Sequence, residues 1–340
     1  MNLIKEFSGI LKYSLESNDC LFLLHEEGEI RSIRRLDSVD FKEFWMHQNN
    51  YYAYQKFGDK IYLTTTGKEQ HTEVLNADNG NVVSENFEVV FHFDGHFKTK
   101  DEFLCVATLN NKKVYILFDV NKEKVLNVYP PPLGINNVYK LAGEDHYLSV
   151  KKGQINLYQS FESHPIWEFN IDQFLKVPVN IGHKQVEVIG KMVIVCIIDL
   201  NNYEGYLIGL DMATGEEKWC HQGYSNFELH NSKIYNIEFY GLYRVLNPEN
   251  GEIEQEADLK SEFERRDINC TGRFNVTDTT IYFKNAFKGK FGFLNTATLK
   301  IEEVHQLPDG NTMSGEEYPI PAGNRLYVRS APQNNLFVYE

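Results

Sequence analysis

The amino-acid sequence predicts an all-β protein, a single β-propeller of four-stranded blades. Strand–turn–strand units recur about every 40 residues, which is the length of one propeller blade. The clearest unit contains Leu210-Asp-Met-Ala-Thr-Gly-Glu-Glu-Lys-Trp219, and weaker copies surround Gly80 and Gly251. Tryptophan occurs three times, each time after a turn-like stretch at the start of a predicted fourth strand, at Trp45, Trp167 and Trp219. Unrelated strands would not place their tryptophans so regularly.

Each unit is predicted from two runs of alternating apolar and polar residues, bounded by Gly, Asn and Asp, a pattern typical of hairpins. The paired runs are 21–24 with 30–33, 60–63 with 72–75, 103–106 with 114–118, 147–150 with 155–158, 193–198 with 206–210, 233–237 with 243–246, 280–283 with 291–294, and 325–328 with 336–339. Eight pairs predict eight blades, and seven blades remain possible if the first or last unit is irregular.

The turns and the chain ends complete this prediction. Asp37, Asp78 and Asp119 are evenly spaced and are expected to begin equivalent turns in the first three units. The last unit stops after Tyr339 without a fourth strand, whereas residues 3–7 form a spare strand-like stretch. We therefore expect an N-terminal strand to complete the last blade, because this removes an open sheet edge. Residues 1–340 are expected to form one domain.

The segment Leu210–Trp219 resembles the repeat of the quinoprotein-like (PQQ-like) β-propellers, whose units carry a Leu-Asp-x-x-Thr-Gly-x-x-x-Trp core. The copies at Asp78, Asn247 and Asn295 are degraded. The resemblance implies the propeller and not the cofactor, since quinone enzymes of this kind use a vicinal disulfide and a calcium site. No two cysteines are adjacent in this chain, and no clustered Asp/Asn/Glu calcium motif occurs. No cofactor is predicted.

Composition narrows the class of partner and compartment. The formal net charge of −14 argues against general binding of nucleic-acid phosphates or anionic membranes and suits a basic protein partner. The five cysteines include no Cys-x-x-Cys pair, which favours a reducing compartment. The N-terminal residues lack the apolar core of a signal peptide, and the longest apolar run, 192–198, is strand-sized. We expect a cytoplasmic protein.

Motifs for catalysis or metal binding are weak. The best metal-like spacing is His92-Phe-Asp-Gly-His96, but Asp94-Gly95 is predicted as a turn, so the two rings need not converge. Adjacent carboxylates such as Glu216-Glu217 would point to opposite faces of a strand. No catalytic, metal or cofactor residue is predicted, and the protein is expected not to be an enzyme.

Candidate partner-binding residues lie in the longer connections between units. These are the aromatic-rich stretch 41–54, the proline segment 129–132, a short charged helix within 256–269 and the insertion 305–323. Loops on a rigid scaffold usually carry binding residues, and exposed Tyr and Arg are common anchors. The candidates are Tyr51, Tyr52, Tyr54, Tyr129, Arg265, Arg266, Glu316 and Glu317. The alternative is that the aromatic residues fill gaps between blades.

Three functions are consistent with this pattern. The first is a non-enzymatic protein-binding propeller, and a bacterial immunity protein that neutralises a basic toxin fits its acidity. The second is a propeller enzyme, a hydrolase or lyase, with polar residues converging at a central channel. The third is an assembly scaffold like the outer-membrane assembly propellers, against which the missing signal peptide counts.

Overall fold

The structure is a computed structural model that describes residues 1–16, 20–66, 69–97, 101–129, 138–141, 146–151, 153–159, 164–176, 181–199, 201, 204–314 and 317–340. These residues form eight four-stranded sheets, the blades of an eight-bladed β-propeller. The prediction of an all-β propeller is therefore confirmed, with eight blades and not seven.

Strand β1 (Leu3–Phe7) begins the chain, and blades 1 to 4 follow it. Blade 1 contains β2 (Ile10–Glu16), β3 (Cys20–Glu27), β4 (Ile30–Asp37) and β5 (Glu43–Gln48). Blade 2 contains β6 (Tyr51–Phe57), β7 (Lys60–Thr65), β8 (Thr72–Asn76) and β9 (Val82–Asn86). Blade 3 contains β10 (Val89–Phe97), β11 (Glu102–Leu109), β12 (Lys112–Asp119) and β13 (Lys124–Tyr129). Blade 4 contains β14 (Val138–Leu141), β15 (His146–Lys151), β16 (Gln154–Gln159) and β17 (Trp167–Asn170).

Blades 5 to 8 complete the series. Blade 5 contains β18 (Ile181–Ile189), β19 (Met192–Asp199), β20 (Glu204–Asp211) and β21 (Glu217–Gln222). Blade 6 contains β22 (Glu228–His230), β23 (Lys233–Ile237), β24 (Leu242–Leu246) and β25 (Ile253–Asp258). Blade 7 contains β26 (Asn275–Val276), β27 (Thr280–Asn285), β28 (Lys290–Asn295) and β29 (Ile301–Gln306). Blade 8 contains β30 (Ile320–Ala322), β31 (Arg325–Arg329), β32 (Leu336–Tyr339) and β1.

Helix is a minor component. Among the described residues it comprises α1 (Ile171–Leu175), α2 (Lys260–Arg266) and a 3₁₀ turn at Pro308–Gly310. Helix α2 confirms the short charged helix predicted to carry Arg265 and Arg266. In the part of the chain that the structure describes, no helix has the length and apolarity needed to cross a membrane.

The chain groups into two compact units. The N-terminal unit comprises Ser8–Leu148 and Tyr158–His164. The C-terminal unit comprises Met1–Phe7, Ser149–Leu157 and Pro165–Glu340. That the whole chain is one domain stays a prediction.

The N-terminal strand completes the last blade, as predicted. Strand β1 runs antiparallel to β32, with Leu3 opposite Tyr339 and Phe7 opposite Leu336. Reciprocal backbone hydrogen bonds join Asn2 and Glu340 at 2.7 and 2.9 Å. Blade 8 is thereby closed by the first strand of the chain, which leaves β32 without an open edge.

The second and third strands of the blades supply most of the core, because their side chains are buried on both faces. In the N-terminal unit, Tyr62, Phe91 and Phe118 meet edge to face, with ring centroids 4.9 to 5.8 Å apart. In the C-terminal unit, Met192 to Ile197 are buried in β19, including Cys196. The fourth strands β9 and β13 are mostly exposed.

An Asp or Asn side chain begins most of the turns between third and fourth strands. Asp211 Oδ1 accepts the backbone N–H groups of Ala213 and Thr214 at 2.9 and 3.1 Å. These hydrogen bonds lower the pKa of Asp211, because they favour its ionised form. Equivalent bonds are made by Asp37, Asn76, Asp119, Asn247 and Asn295.

The structure corrects the predicted turn residue of blade 2. Strand β8 ends at Asn76, and its side chain accepts the N–H groups of Asp78 and Asn79. Asp78 instead forms an exposed ion pair with Arg35 at 3.1 Å. The even spacing of Asp37, Asp78 and Asp119 therefore did not mark equivalent positions, since Asn can cap this turn as well as Asp.

Two other local predictions are also wrong. Residues 41–54 are not a long connection, because β5 and β6 occupy most of them. Asp94 and Gly95 do not form a turn between strands, because β10 continues through them. Its pairing with β11 is irregular between Phe91 and Gly95, so the strand accommodates the polar residues as a bulge.

Each tryptophan joins its own blade to the next one along the chain. The indole N–H groups donate to turn carbonyls of the following blade: Trp45 to Ala77 at 3.1 Å, Trp167 to Met212 at 2.9 Å and Trp219 to Pro248 at 3.0 Å. All three lie in fourth strands, as the sequence predicted. The rings pack on glycines of the same turns, Gly80, Gly215 and Gly251, where a Cβ would come within 2.8 Å of ring atoms.

Replacing Trp219 by Ala should lower the free energy of unfolding by about 3–5 kcal/mol. The ring is only 7% exposed, and its removal leaves a cavity between blades 5 and 6 and an unpaired Pro248 carbonyl. Urea unfolding of wild type and variant measures the difference. A near-neutral effect would contradict the assigned packing.

Gly251→Ala should destabilise the protein more than Gly190→Ala. Both glycines have positive φ, so both variants carry a backbone strain of about 1–2 kcal/mol. At Gly251 the new Cβ would also lie 2.7 Å from the Trp219 ring, whereas nothing lies within 4 Å of it at Gly190. Thermal unfolding of the two variants separates strain from steric conflict, and equal melting temperatures would refute the contact.

Candidate functional site

A pocket of about 460 Å³ lies in the C-terminal unit, and we call it the blade 6–7 pocket. Its walls come from links between blades, from turns between second and third strands, and from the end of β19. The apolar wall consists of Ile198, Phe239, Cys270, Ala286, Phe287 and Met313. The polar wall includes Ser225, Asn226, Thr271, Arg273 and Ser314. Concave sites that mix apolar and convergent polar groups are the usual binding sites of proteins.

Backbone and side-chain hydrogen bonds hold these loops together. The Thr271 hydroxyl accepts the N–H of Ala286 at 2.6 Å, and the N–H of Thr271 donates to the Lys284 carbonyl at 2.8 Å. The N–H of Met313 donates to the carbonyl of Ala286 at 3.0 Å. The N–H of Cys270 donates to the carbonyl of Phe239 at 3.2 Å. The pocket is therefore formed in advance of any ligand.

Buried polar groups lie behind the polar wall. The Asn226 amide donates to the Gly272 carbonyl at 3.1 Å, and the Asn236 amide donates to the Asn226 carbonyl at 2.7 Å. The side-chain oxygens of both asparagines are buried and have no hydrogen-bond partner among the described residues. Unpaired buried acceptors are costly, and in native proteins they often mark positions where a water or ligand binds.

Glu238 is the titratable group of this cluster. The Ser225 hydroxyl donates to its Oε2 at 3.2 Å, and its Oε1 is buried without a partner among the described residues. Burial raises the pKa of Glu238 to about 7, because a buried carboxylate loses hydration. The group can therefore exchange a proton near neutral pH.

Three positive charges near the pocket, those of Arg273, Lys288 and Lys290, are paired with carboxylates. Arg273 donates two parallel hydrogen bonds to Glu228 at 2.9 and 3.1 Å. Lys288 and Lys290 both bind Asp267, and their hydrogen bonds lower the pKa of that carboxyl to about 2. The local charge therefore gives an anionic ligand little attraction.

Two exposed aromatic side chains lie on the turns that form the pocket. Phe287, on the turn between β27 and β28, is 80% exposed and lines the pocket. Tyr240, on the turn between β23 and β24, is 67% exposed. Its ring meets that of Phe239 edge to face, with centroids 4.8 Å apart. Exposed aromatic residues beside a pocket are typical anchor points for protein partners.

The predicted candidates of blade 2 are partly hidden. Tyr51 and Tyr54 are buried in the N-terminal unit, so their rings offer no surface to a partner. The Tyr54 hydroxyl donates to the Ser14 hydroxyl at 3.0 Å. Tyr52 is half-buried, with its hydroxyl 2.6 Å from Nδ1 of His92. These contacts agree with the alternative that aromatic residues fill space in the core.

The other candidates are dispersed. Tyr129 is half-buried at the end of β13, and Arg265 is an exposed residue of α2 that pairs with Glu262 at 2.7 Å. Arg266 is half-buried and donates to the Ile301 carbonyl at 2.7 Å. Glu317 accepts a hydrogen bond from Arg329 at 3.0 Å. Glu316 and the prolines 130–132 lie outside the described residues. Partner contact by these residues stays a prediction.

The cysteines and His92 have structural surroundings. All five cysteines are free. Burial raises the pKa of Cys220 to about 11 and that of Cys270 to about 12, which keeps them as thiols and poor nucleophiles at neutral pH. Both ring nitrogens of His92 lie within hydrogen-bond distance of hydroxyls, those of Tyr52 and Thr108. The side chain of His96 lies outside the described residues.

A second cluster of polar residues, this one in blade 2, was not apparent from the sequence. Ligand atoms of His71, Glu73 and Glu85 all lie within 4.8 Å of one another. Glu73 is a buried charged residue in β8, and Glu85 lies opposite it in β9. The available sequence signal was His71-Thr-Glu73, since alternate residues of an extended chain share a face. The third residue is brought to them only by strand pairing.

Comparison with known proteins identifies the fold. No family model matches the chain, and no curated protein matches it in sequence. BamB from Moraxella catarrhalis is 14% identical with a TM-score of 0.60, covering 100% of this chain and 99% of that one. The C-terminal WD40 domain of Sif2 is 14% identical with a TM-score of 0.59, covering 100% and 98%. A europium-containing methanol dehydrogenase is 10% identical with a TM-score of 0.52, covering 99% and 84%.

Such low identities show a shared fold and nothing more. The chain has the fold of β-propellers that include a methanol dehydrogenase and a WD40 domain. The propeller implied by the resemblance to quinoprotein-like repeats is therefore confirmed. Membership of that family stays a prediction.

Glu238→Gln should flatten the pH dependence of stability. Because folding raises the pKa of Glu238 from 4.5 to about 7, its protonated form stabilises the folded state. This contribution is complete below about pH 4.5 and is lost as the pH rises through about 7. Between pH 5 and 8, wild type should lose about 1–3 kcal/mol relative to the variant.

Urea unfolding across this pH range measures the effect. Glu249→Gln is the matched control, because Glu249 is an exposed residue in the turn between β24 and β25. Its profile should follow that of wild type. Parallel profiles for wild type and Glu238→Gln would show that the Glu238 carboxyl is not desolvated.

Proposed function

We propose that this chain is a non-enzymatic, cytoplasmic protein-binding β-propeller whose partner docks at the blade 6–7 pocket. The observation that carries the proposal is the pairing of an apolar pocket with the exposed rings of Phe287 and Tyr240. A partner that inserts an apolar side chain into the pocket would contact Phe287 and Met313, and Tyr240 on the turn after Phe239 would add a second exposed ring. Burying such anchors supplies most of the free energy of a typical protein interface.

The net charge supports a basic partner. An excess of carboxylates accelerates association with a positively charged protein and discriminates against acidic ones. The cations around the pocket are already paired with Asp267 and Glu228, so they oppose such a partner little. Among basic partners, a toxin neutralised by this chain as its immunity protein fits a compact, acidic, stoichiometric binder.

A propeller enzyme is the second candidate. Glu238 has a pKa near neutrality and lies 3.2 Å from the Ser225 hydroxyl, an arrangement suited to a general base beside a hydroxyl. A hydrolase or lyase would lose turnover in Glu238→Gln. A binding protein would keep its partner affinity in the same variant.

An assembly scaffold, the third possibility, differs from the first in binding several proteins at once.

Phe287→Ala and Tyr240→Ala should each weaken partner binding by at least about tenfold, the effect expected for aromatic anchors. Wild type and the variants serve as bait in extracts of the native host, and the captured partner is then titrated by calorimetry. Phe44→Ala is the matched control, since Phe44 is 52% exposed on β5 of the N-terminal unit.

The salt dependence of the same titration tests the charge of the partner. Raising the salt concentration should weaken the affinity for a basic protein, because screening shortens the range of attraction. Equal binding by wild type and both pocket variants would contradict docking at the pocket. An affinity that does not change with salt concentration would contradict a basic partner.

A further inference from the structure

The hairpin of β8 and β9 brings three metal-ligating side chains together. The backbone N–H of Thr65 donates to the carbonyl of His71 at 3.1 Å, so the chain is already paired at His71, just before β8. His71 and Glu73 are therefore on one face of an extended segment. Glu85 in β9 is the direct cross-strand partner of Glu73. The three ligand atoms lie within 4.8 Å of one another.

The two carboxylates oppose each other in an unfavourable way. Like charges directly opposite across a strand pair destabilise a sheet, and here one of them, Glu73, is only 3% exposed. A buried carboxylate beside a second carboxylate needs a positive group to offset the repulsion. Among the described residues, His47 contacts Glu73 alone in this way, whereas a cation held between the two carboxylates would offset the repulsion on both.

The surrounding residues hold the Glu73 carboxylate in a fixed orientation. The Tyr51 hydroxyl donates to Oε1 at 2.5 Å, and His47 Nε2 lies 2.8 Å from the same oxygen. The Asn49 amide donates to Oε2 at 3.1 Å. A carboxylate has about four lone-pair directions, so Oε2 retains one for a metal. Outer hydrogen bonds of this kind are what orient metal ligands in proteins.

His71 is oriented in the same manner. Its Nδ1 lies 3.1 Å from the Thr65 hydroxyl and 3.3 Å from the Glu69 carbonyl. If the Nδ1 proton is shared with this carbonyl, the lone pair is on Nε2, which is then the nitrogen available to a metal. The ring stacks on Phe87 with centroids 4.6 Å apart, which restricts its rotation.

We propose that His71, Glu73 and Glu85 bind one divalent transition-metal ion, with zinc as the best match. One imidazole and two carboxylates suit zinc better than calcium, which takes oxygen ligands almost alone. A tetrahedral zinc ion with bonds of about 2.1 Å needs ligand atoms roughly 3.4 Å apart. The exposed side chain of Glu85 can close the remaining distance. Solvent supplies the fourth ligand.

The test is calorimetric titration of the chelator-stripped full chain with zinc chloride. Wild type should bind one ion per chain with a dissociation constant on the order of micromolar or tighter. His71→Ala and Glu85→Gln should each weaken binding at least tenfold. His230→Ala is the matched control and should bind like wild type, because His230 pairs with Asp278 at 2.8 Å and no third ligand joins them among the described residues.

Glu85→Gln also gives a readout that a purely structural role would not produce. Without metal, this variant should melt at the same or a higher temperature than wild type, because the repulsion with Glu73 is gone. With zinc, the melting temperature should rise for wild type and His230→Ala only, since an ion that binds the folded state alone stabilises it.

Four results would overturn the proposal. The first is that wild type shows no saturable zinc binding, and the second is that wild type and both ligand variants bind zinc with equal affinity. The third is that only His230→Ala loses affinity for zinc. The fourth is that wild type binds calcium more tightly than zinc. Lower stability of metal-free Glu85→Gln than of metal-free wild type would contradict the repulsion on which it rests.

Discussion

The contact between a tryptophan and a turn glycine of the next blade is the constraint that gives this repeat its form. The indole of Trp219 lies on Gly251 and donates to the Pro248 carbonyl. Only glycine fits there, because a Cβ would enter the ring and because φ is +71°. Asn247 begins the same turn and sets the position of the glycine. The spacing of Asp or Asn, Gly and Trp therefore encodes contact between blades, without any requirement for a ligand.

Much of the fold could be predicted because alternation and turn residues are local signals. All eight central strand pairs and the closing strand β1 lie where the apolar patterns place them. The failures have local causes too. Asp78 and Asn76 are both turn formers, and only the side-chain hydrogen bonds distinguish them. At Asp94-Gly95 a turn-like dipeptide was accommodated as a bulge, since flanking residues pair well enough to keep β10 continuous.

The candidate sites were much less visible in the sequence. The blade 6–7 pocket collects residues that are far apart along the chain, such as Ile198 at the end of β19 and Phe287 in a turn of blade 7. Single exposed aromatic residues carry no pattern, so Phe287 and Tyr240 resembled any other strand or turn residue. Tyr51 and Tyr54 were attractive because aromatic residues cluster near them, but both rings are buried, and a register shift after Tyr51 interrupts the alternation that the sequence suggests for β6. Burial, which separates an anchor from a packing residue, is decided by the whole fold.

Different interactions hold the scaffold together and form the candidate sites. Packing between blades uses close contact and satisfied hydrogen bonds, whereas the sites retain unpaired Asn oxygens, a desolvated Glu238 carboxyl and opposed carboxylates. Proteins commonly accept such costs where a ligand compensates them. This distinction between scaffold and sites requires that the tryptophans and glycines contact each other directly.

A double-mutant cycle between Trp219 and Gly251 tests that claim most directly. The free energy of unfolding is measured for wild type, Trp219→Ala, Gly251→Ala and the double variant. If the ring and the glycine are in contact, Gly251→Ala costs at least about 1 kcal/mol less in the Trp219→Ala background, where only backbone strain remains. An equal cost in both backgrounds would show that the two residues act independently and would contradict the account.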